Sequence, residues 1–358
     1  MKYFTKLDDS IHPKAKQSEK NIYTNNIKLK NSKKNYNTAV EVYKIFSKYL
    51  NKNDLYGGTW QWIDKKKRKD VFNFKSKKEL NLPNKNLSNF FRNNLSFGLI
   101  SSHWENRNSR KWKNKLSSQI LKNILSWEEF TKNKNSDMNY LNDFGLAGNP
   151  YGLKLGKKLI MYDTPRHDYY ADKIITLLKN KKIPTILEIG GGYGGLLAQL
   201  IKRKYKFNYI NIDIPKSLMV SYYFIRSNFS KKILINERIK LKKIKKNSII
   251  FVPFTKNFNW ESNLEIDLVF NSNSFSELDN KILNYYLKLI NTKIIPKFIL
   301  HQNSNILLYP NSKRHIEILA SKFKINKKKF RKVSSGLSLF QGGSGRYREY
   351  LYVRNDIL

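Results

Sequence analysis

Ile186-Leu187-Glu188-Ile189-Gly190-Gly191-Gly192-Tyr193-Gly194-Gly195 is the stretch whose reading decides the fold. An apolar strand, Thr185–Ile189, ends in Glu-x-Gly-x-Gly-x-Gly. It runs directly into a predicted helix, Gly195–Arg203, with Leu196, Leu197, Leu200 and Ile201 on one face. Glycines in such a bend accept φ > 0 and let a ligand lie against bare backbone. The free N–H groups that open the helix suit an anionic or polar ligand. Asp213 closes the next predicted strand, Tyr209–Ile212, 19 residues past Gly194. A carboxylate at that strand end can accept both ribose hydroxyls of an adenosine.

Outward from this unit, short apolar runs alternate with helical stretches. Strands are predicted at Ser248–Val252, Leu268–Asn271 and Lys297–Leu300. A helix spans Pro215–Arg226, and Asp279 caps another that carries Leu283, Leu287 and Ile290. The alternation is that of βαβ units, so the expected fold is a doubly wound, Rossmann-like α/β sheet. The chain then offers a helix near His315–Phe323, a strand at Phe330–Ser334, a Gly/Ser turn at Gly342–Gly345 and a strand at Tyr347–Arg354. The last two strands can form a hairpin-like edge, for seven strands in all.

Upstream of Ile183 the pattern is helical and irregular. Helices are expected at Ala39–Leu50, Lys115–Phe130 and His167–Leu178, with an aromatic stretch that includes Trp60, Trp62, Phe90, Phe91, Phe97 and Trp104 between the first two. Glycines and Pro150 mark Asn142–Lys158 as loop. The expected organisation is a polar leader over 1–38, partly disordered, and a helical, aromatic-rich cap or acceptor region over 39–150. A loop and lead-in helix over 151–182 then joins the cofactor domain over 183–358.

The net charge of +42 invites a nucleic-acid reading. Its make-up argues otherwise. Of 69 basic residues only 13 are arginine, Asn, Ile and Tyr abound, and alanine occurs six times. Such usage reflects AT-rich codons. The halves 1–150 and 151–358 carry +17 and +25, so no basic domain stands beside a neutral one. Lys65-Lys66-Lys67-Arg68-Lys69 is read as a solvated charge run. No apolar run approaches the roughly 20 residues of a membrane span. The start has no secretory apolar region, and there is no cysteine, so a cytoplasmic setting is expected. No His-x-x-x-His pair or dense carboxylate cluster points to a metal. Oligomeric state is not legible.

Gly190, Gly192 and Gly195 also satisfy the dinucleotide pattern G-x-G-x-x-G. Two features favour S-adenosylmethionine (SAM) over NAD. Glu188 stands just before the glycines, where it can organise the loop and meet an ammonium group, while a pyrophosphate gains nothing from an anion there. The last strands also read as an added hairpin rather than as a second mononucleotide half.

Four segments carry a family resemblance. They are Leu187–Gly195, Asn211-Ile212-Asp213-Ile214-Pro215 with the following Tyr222-Tyr223 helix, Phe270-Asn271-Ser272-Asn273-Ser274-Phe275-Ser276-Glu277-Leu278, and Gly148-Asn149-Pro150 leading to Tyr169-Tyr170. Over about residues 145–305 the chain resembles the class I SAM-dependent methyltransferases, and more closely the sugar O-methyltransferase family of bacterial glycan gene clusters. The resemblance implies SAM held by Glu188, Gly190, Gly191, Gly192, Tyr193, Gly194, Asp213 and Asn271, with methyl transfer to a sugar hydroxyl of a glycan acceptor. Many class I enzymes place an acid after the third strand to hold the adenine amino group. Here that strand ends Val252-Pro253-Phe254, so stacking or backbone contacts are expected instead.

A sugar hydroxyl is a poor nucleophile, so a general base is expected near the strand ends. The candidates are His301 after the fifth strand, His167 before the domain, and Glu277 after the fourth strand; for each, a purely structural role is the competing reading. Asn271, Asn273 and Gln302 can hydrogen-bond a polyol. Trp60, Trp62 and Trp104 can stack on sugar rings or simply pack. The alternatives are an RNA or protein methyltransferase, an NAD-dependent sugar oxidoreductase, and a binding protein that kept the fold.

Overall fold

In the computed structural model, residues 22–25, 32–50, 60–63, 68, 86–101, 109–131, 137–239, 244–306, 318–338, 340 and 346–357 are described. Near the N-terminus, β1 (Ile22–Tyr23) joins β2 (Gly152–Leu155) and β3 (Lys158–Ile160) in a small antiparallel sheet. Two long helices, α1 (Ser32–Leu50) and α2 (Arg110–Thr131), precede α3 (Thr164–Leu177). The α/β part follows as β4 (Thr185–Ile189), α4 (Gly195–Lys202), β5 (Asn208–Asp213), α5 (Pro215–Phe229), β6 (Ile233–Ile235), β7 (Arg238–Ile239), β8 (Ile249–Pro253), β9 (Asn259–Trp260), β10 (Leu268–Ser272), α6 (Asn280–Leu289), β11 (Phe298–Ser304), β12 (Phe330–Leu337) and β13 (Tyr347–Arg354).

The main sheet has the order β12-β13-β11-β10-β4-β5-β8-β6. Strands β6, β8, β5, β4, β10 and β11 run parallel, and β13 runs antiparallel between β11 and β12. This is the expected doubly wound α/β sheet with its C-terminal hairpin. It has eight strands rather than seven, because Ile233–Ile235 adds an edge strand beside β8. The strand order reverses between β4 and β10, and such a switch point opens a crevice at the strand ends.

Central strands are buried on both faces, and their side chains alternate between two cores. Leu187, Ile210, Ile212, Val252 and Ile299 pack with α6, Phe275 and Phe323 on one side. Ile186, Tyr209, Phe251, Phe270 and Leu300 pack on the other, in a cluster that continues through α3, α4 and α5 to Val42 and Phe46 of α1 and to Ile120 and Trp127 of α2. The region 39–150 therefore shares its core with the sheet. Phe46 meets Tyr222 of α5 with ring centroids 5.9 Å apart.

Helix α3 is tied to its neighbours by buried charge. Arg203, at the end of α4, donates from Nε and Nη2 to the two carboxylate oxygens of Asp168 at 2.8 and 2.7 Å. The Trp127 indole of α2 donates to the same carboxylate at 2.7 Å. Asp279 caps α6 by accepting from Ile282 N at 2.8 Å.

Some expectations shift. The leader ends early, since α1 begins at Ser32 and Ile22–Tyr23 is a strand. Of the helix expected near His315–Phe323, residues 318–323 are described, and they hold a single 3-10 turn at Ala320–Lys322. Trp104, Lys65–Lys67, Lys69 and the Gly342–Gly345 turn lie outside the described residues. Arg68 is not part of a solvated run. It is buried, with its guanidinium carbon 5.2 Å from the Trp60 ring centroid.

Candidate active site

The bend after β4 is built by three left-handed glycines, Gly190, Gly192 and Gly194, at φ of 77°, 58° and 88°. They do different jobs. A Cβ on Gly190 would overlap the Ser274 hydroxyl, and one on Gly194 would lie 2.6 Å from Ser221 Oγ of α5. These two glycines serve close packing. Gly192 has nothing nearer than Leu99 O at 3.8 Å from that position. Its backbone faces open space, and that is the surface a ligand can approach.

Asp213 ends β5 across from this bend. Its Oδ2 accepts from Gly192 N at 2.9 Å and its Oδ1 from Ile214 N at 2.7 Å. Each oxygen keeps a lone pair. Burial pushes the carboxyl up to about 7, although both N–H donors favour the charged form. Glu188 on β4 is buried and accepts a hydrogen bond from the Tyr209 hydroxyl of β5. Burial raises it to about 7, against the Tyr209 bond and with help from Asp213. Asn211, opposite Glu188 in the β4–β5 register, accepts from Gly191 N at 3.3 Å, and its buried Nδ2 has no partner among the described residues.

Both acids line one cavity of about 600 Å³ over the strand ends. Trp60 and Ile63 close it over Ile214 and pack with Leu99. Phe254, just after β8, lines the same end, with its ring centroid 4.8 Å from that of Tyr286.

The expected site residues separate on inspection. Gly190, Gly191, Gly192, Glu188 and Asp213 line the cavity. Tyr193 does too, but its ring packs into the core against Phe91 and Phe224, with centroids 5.2 and 5.3 Å away. Gly194 is outside the lining and shapes the start of α4. Asn271 is also outside. It is buried, donates to Ile189 O at 2.7 Å and accepts from Phe275 N and Asn303 Nδ2, so it ties the β4 and β10 ends together. Asn273 does line the cavity, with φ of 67° and a buried Oδ1 that has no partner among the described residues. Gln302 is buried between Ser272 and Ser338.

Among the base candidates, His301 is displaced from the site. Strand β11 continues to Ser304 by pairing with β13, so His301 is a mid-strand residue. It is outside the cavity lining, stacked on Tyr350 at 5.0 Å and against Phe323 at 5.1 Å, and burial lowers it to about 3. His167 and Glu277 both reach the cavity. His167 contacts Tyr193 Oη through Nδ1 at 3.2 Å and Arg166 Nη2 through Nε2 at 3.3 Å. A guanidinium cannot accept, so Nε2 is the unprotonated nitrogen and Nδ1 donates. Burial and Arg166 lower His167 to about 3. Glu277 is pushed up to about 8 by burial and is hydrogen-bonded by the Trp60 side chain.

Arg166 and Tyr209 were not among the expected site residues. Tyr209 was legible, because Tyr209, Asn211 and Asp213 form a polar i, i+2, i+4 stripe in an apolar strand. Arg166 was not, since its place depends on Ser272, more than a hundred residues away, and on Asp163, which Ser101 of another distant segment holds. Among the described residues no group of three or more His, Asp or Glu converges as a metal site would.

No protein-family profile and no curated protein matches the chain. Solved structures similar to it include a small-RNA methyltransferase, with a TM-score of 0.37 and 12% identity over 57% of this chain and 27% of that one. Another is magnesium protoporphyrin IX methyltransferase of Synechocystis PCC 6803 with bound S-adenosylhomocysteine (SAH), at 0.36 and 10% over 54% and 86%. A third is mitomycin 7-O-methyltransferase, at 0.34 and 15% over 53% and 54%. The fold assignment itself rests on the strand order and connections of this chain.

Proposed function

We propose that this chain is a SAM-dependent O-methyltransferase that acts on a sugar hydroxyl in glycan synthesis. The observation that carries the reading is the pair of buried acids, Glu188 and Asp213, facing one cavity beside the bare backbone of Gly192. Both acids are hard to ionise where they stand. A ligand that brings positive charge and ribose hydroxyl donors relieves that cost. A pyrophosphate would add to it, which weighs against a dinucleotide.

The residues fit SAM as follows. Asp213 keeps lone pairs for the ribose diol, Glu188 with the Gly190–Gly192 backbone suits the amino-acid end, and Ile214 and Phe254 offer apolar surface for the base. When bound, SAM supplies an activated methyl group on its sulfonium. The chain then has to align an acceptor oxygen and exclude water, and proximity contributes most of the rate. Ser101, Gln119 and Asn273 line the cavity and can hydrogen-bond hydroxyls, which supports a sugar acceptor.

The acceptor proton passes to Glu277, because the one unprotonated nitrogen of His167 already accepts from Arg166, and the pH profiles of the two groups differ. A rate that climbs through about 8 identifies Glu277, while His167, held near 3, gives no inflection in the neutral range.

The test of the cofactor is calorimetry with SAM, SAH and NAD on the parent, Gly192→Val and Asp213→Ala. SAM and SAH should bind the parent and NAD should not. Gly192→Val should abolish binding, because a branched side chain at φ of 58° fills the ligand's path. Asp213→Ala should weaken it about tenfold or more through lost charged hydrogen bonds. Variants that bind SAM like the parent would refute this placement.

A further inference from the structure

The two ends of the cavity differ in charge, with Asp213 toward β5 and Arg346 toward β13. Its lining acids are Glu188, Asp213 and Glu277, and its lining cations are Lys115, Arg166 and Arg346. Strand order separates Asp213 from Arg346, and Arg166 stands between them at the end of β10, one strand from Glu188 and on the strand that Glu277 follows. Asp213 ends β5, and Glu277 is held by Trp60, which packs on Ile214 just past Asp213. Arg166 donates to Ser272 at the end of β10, and Arg346 immediately precedes β13, whose Tyr347 pairs with Ser304 of β11. From β5 to β13 is four strand intervals. At about 4.8 Å each, that is roughly 19 Å, enough to keep Arg346 apart from Asp213.

The basic end is not neutralised from within. Arg166 is balanced by Asp163 at 3.1 Å, which Ser101 holds through N and Oγ at 2.8 and 2.7 Å. The buried Arg166 Nε still has no hydrogen-bond partner among the described residues. Lys115 is exposed on α2, and neither it nor Arg346 makes an ion pair among the described residues, so Arg346 leaves a positive charge on this end of the lining that no described acid pairs. Codon bias accounts for surface lysines. It does not account for two of the chain's 13 arginines lining a cavity. Planar guanidinium groups are suited to carboxylate and phosphate oxygens.

Given the cofactor reading above, which assigns the acidic end to SAM, we infer that the basic end binds an anionic acceptor. Its methyl-accepting hydroxyl would belong to a sugar that carries a carboxylate or a phosphate. A cationic donor at one end and an anionic acceptor at the other would then each meet complementary charge.

The test uses calorimetry on the full chain, first with SAH alone and then with glucuronate, glucose 6-phosphate and glucose added to the SAH-saturated protein. At least one anionic sugar should bind about tenfold or more tighter than glucose, the worth of one charge-assisted hydrogen bond. Arg346→Gln and Lys115→Gln should remove most of that preference and leave SAH affinity unchanged. Lys288→Gln, on the exposed side of α6, should leave the preference intact. Preference for glucuronate identifies a carboxylate, and preference for glucose 6-phosphate a phosphate. No preference, including no binding of any sugar, overturns the inference, as does a preference that survives both substitutions. Failure of SAH to bind refutes the cofactor reading instead, and the same sugar comparison on the ligand-free protein then decides the anion site separately.

Discussion

Glu188 and Asp213 show how a residue legible in sequence acquires its chemistry from burial. Each ionises near 4 in an unfolded chain and near 7 here. Between those values the native state holds protons that the unfolded state has released, so ligand-free stability falls as pH rises through that window. A cationic ligand favours the ionised acids, so SAM affinity should rise between about pH 6 and about pH 8, by up to about tenfold per unit for each proton released. Calorimetry across that range should show the rise in the parent and a flatter response in Glu188→Gln. An affinity that falls with pH would contradict the assignment of these acids. The spacing of Glu188, the glycines and Asp213 was readable because neighbours in one βα unit impose it. His301 and Asn271 were misjudged because their roles depend on strands far away in sequence.

At the scale of elements, α3 is the hinge between the N-terminal helices and the sheet, and Arg203 holds it. Asp168 is fully buried beneath this guanidinium. Arg203→Met would leave that carboxylate unpaired and should destabilise the protein by about 3–5 kcal/mol in urea unfolding. Strand β11 supplies a second case. Its His301 is neutral when folded, near 3, and takes a proton near 6.5 when unfolded. It therefore costs stability as pH falls from about 6.5 toward 3. His301→Leu should reduce the acid sensitivity of the melting temperature and leave SAM affinity as in the parent. A loss of SAM affinity would return His301 to the site. The length of β11 was misread because Ser304 remains in the strand through its pairing with Tyr347, a contact no local pattern announces. Strand β6 was missed because three apolar residues at a sheet edge leave too short a pattern.

For the whole molecule, one core links the helices of the N-terminal region to the sheet. Val42, Phe46 and Tyr49 are buried in the cluster that reaches Phe251 and Phe270. Removing residues 1–50 would strip these side chains from α5 and bare its apolar face. That truncation should aggregate or lose its cooperative urea transition, and a stable, SAM-binding fragment would show that the core divides there. The N-terminal region also carries Lys115 and Gln119, so part of the cavity lining comes from outside the α/β region.

The sequence by itself determined the α/β class, the order of most elements and the glycine bend with its two acids. These features depend on periodicity, turn chemistry and spacing within short segments. The tertiary structure alone decided which histidine reaches the cavity, which glycine faces open space and which cations line it. Those properties arise when segments far apart in the chain meet, and burial then sets what each group can do.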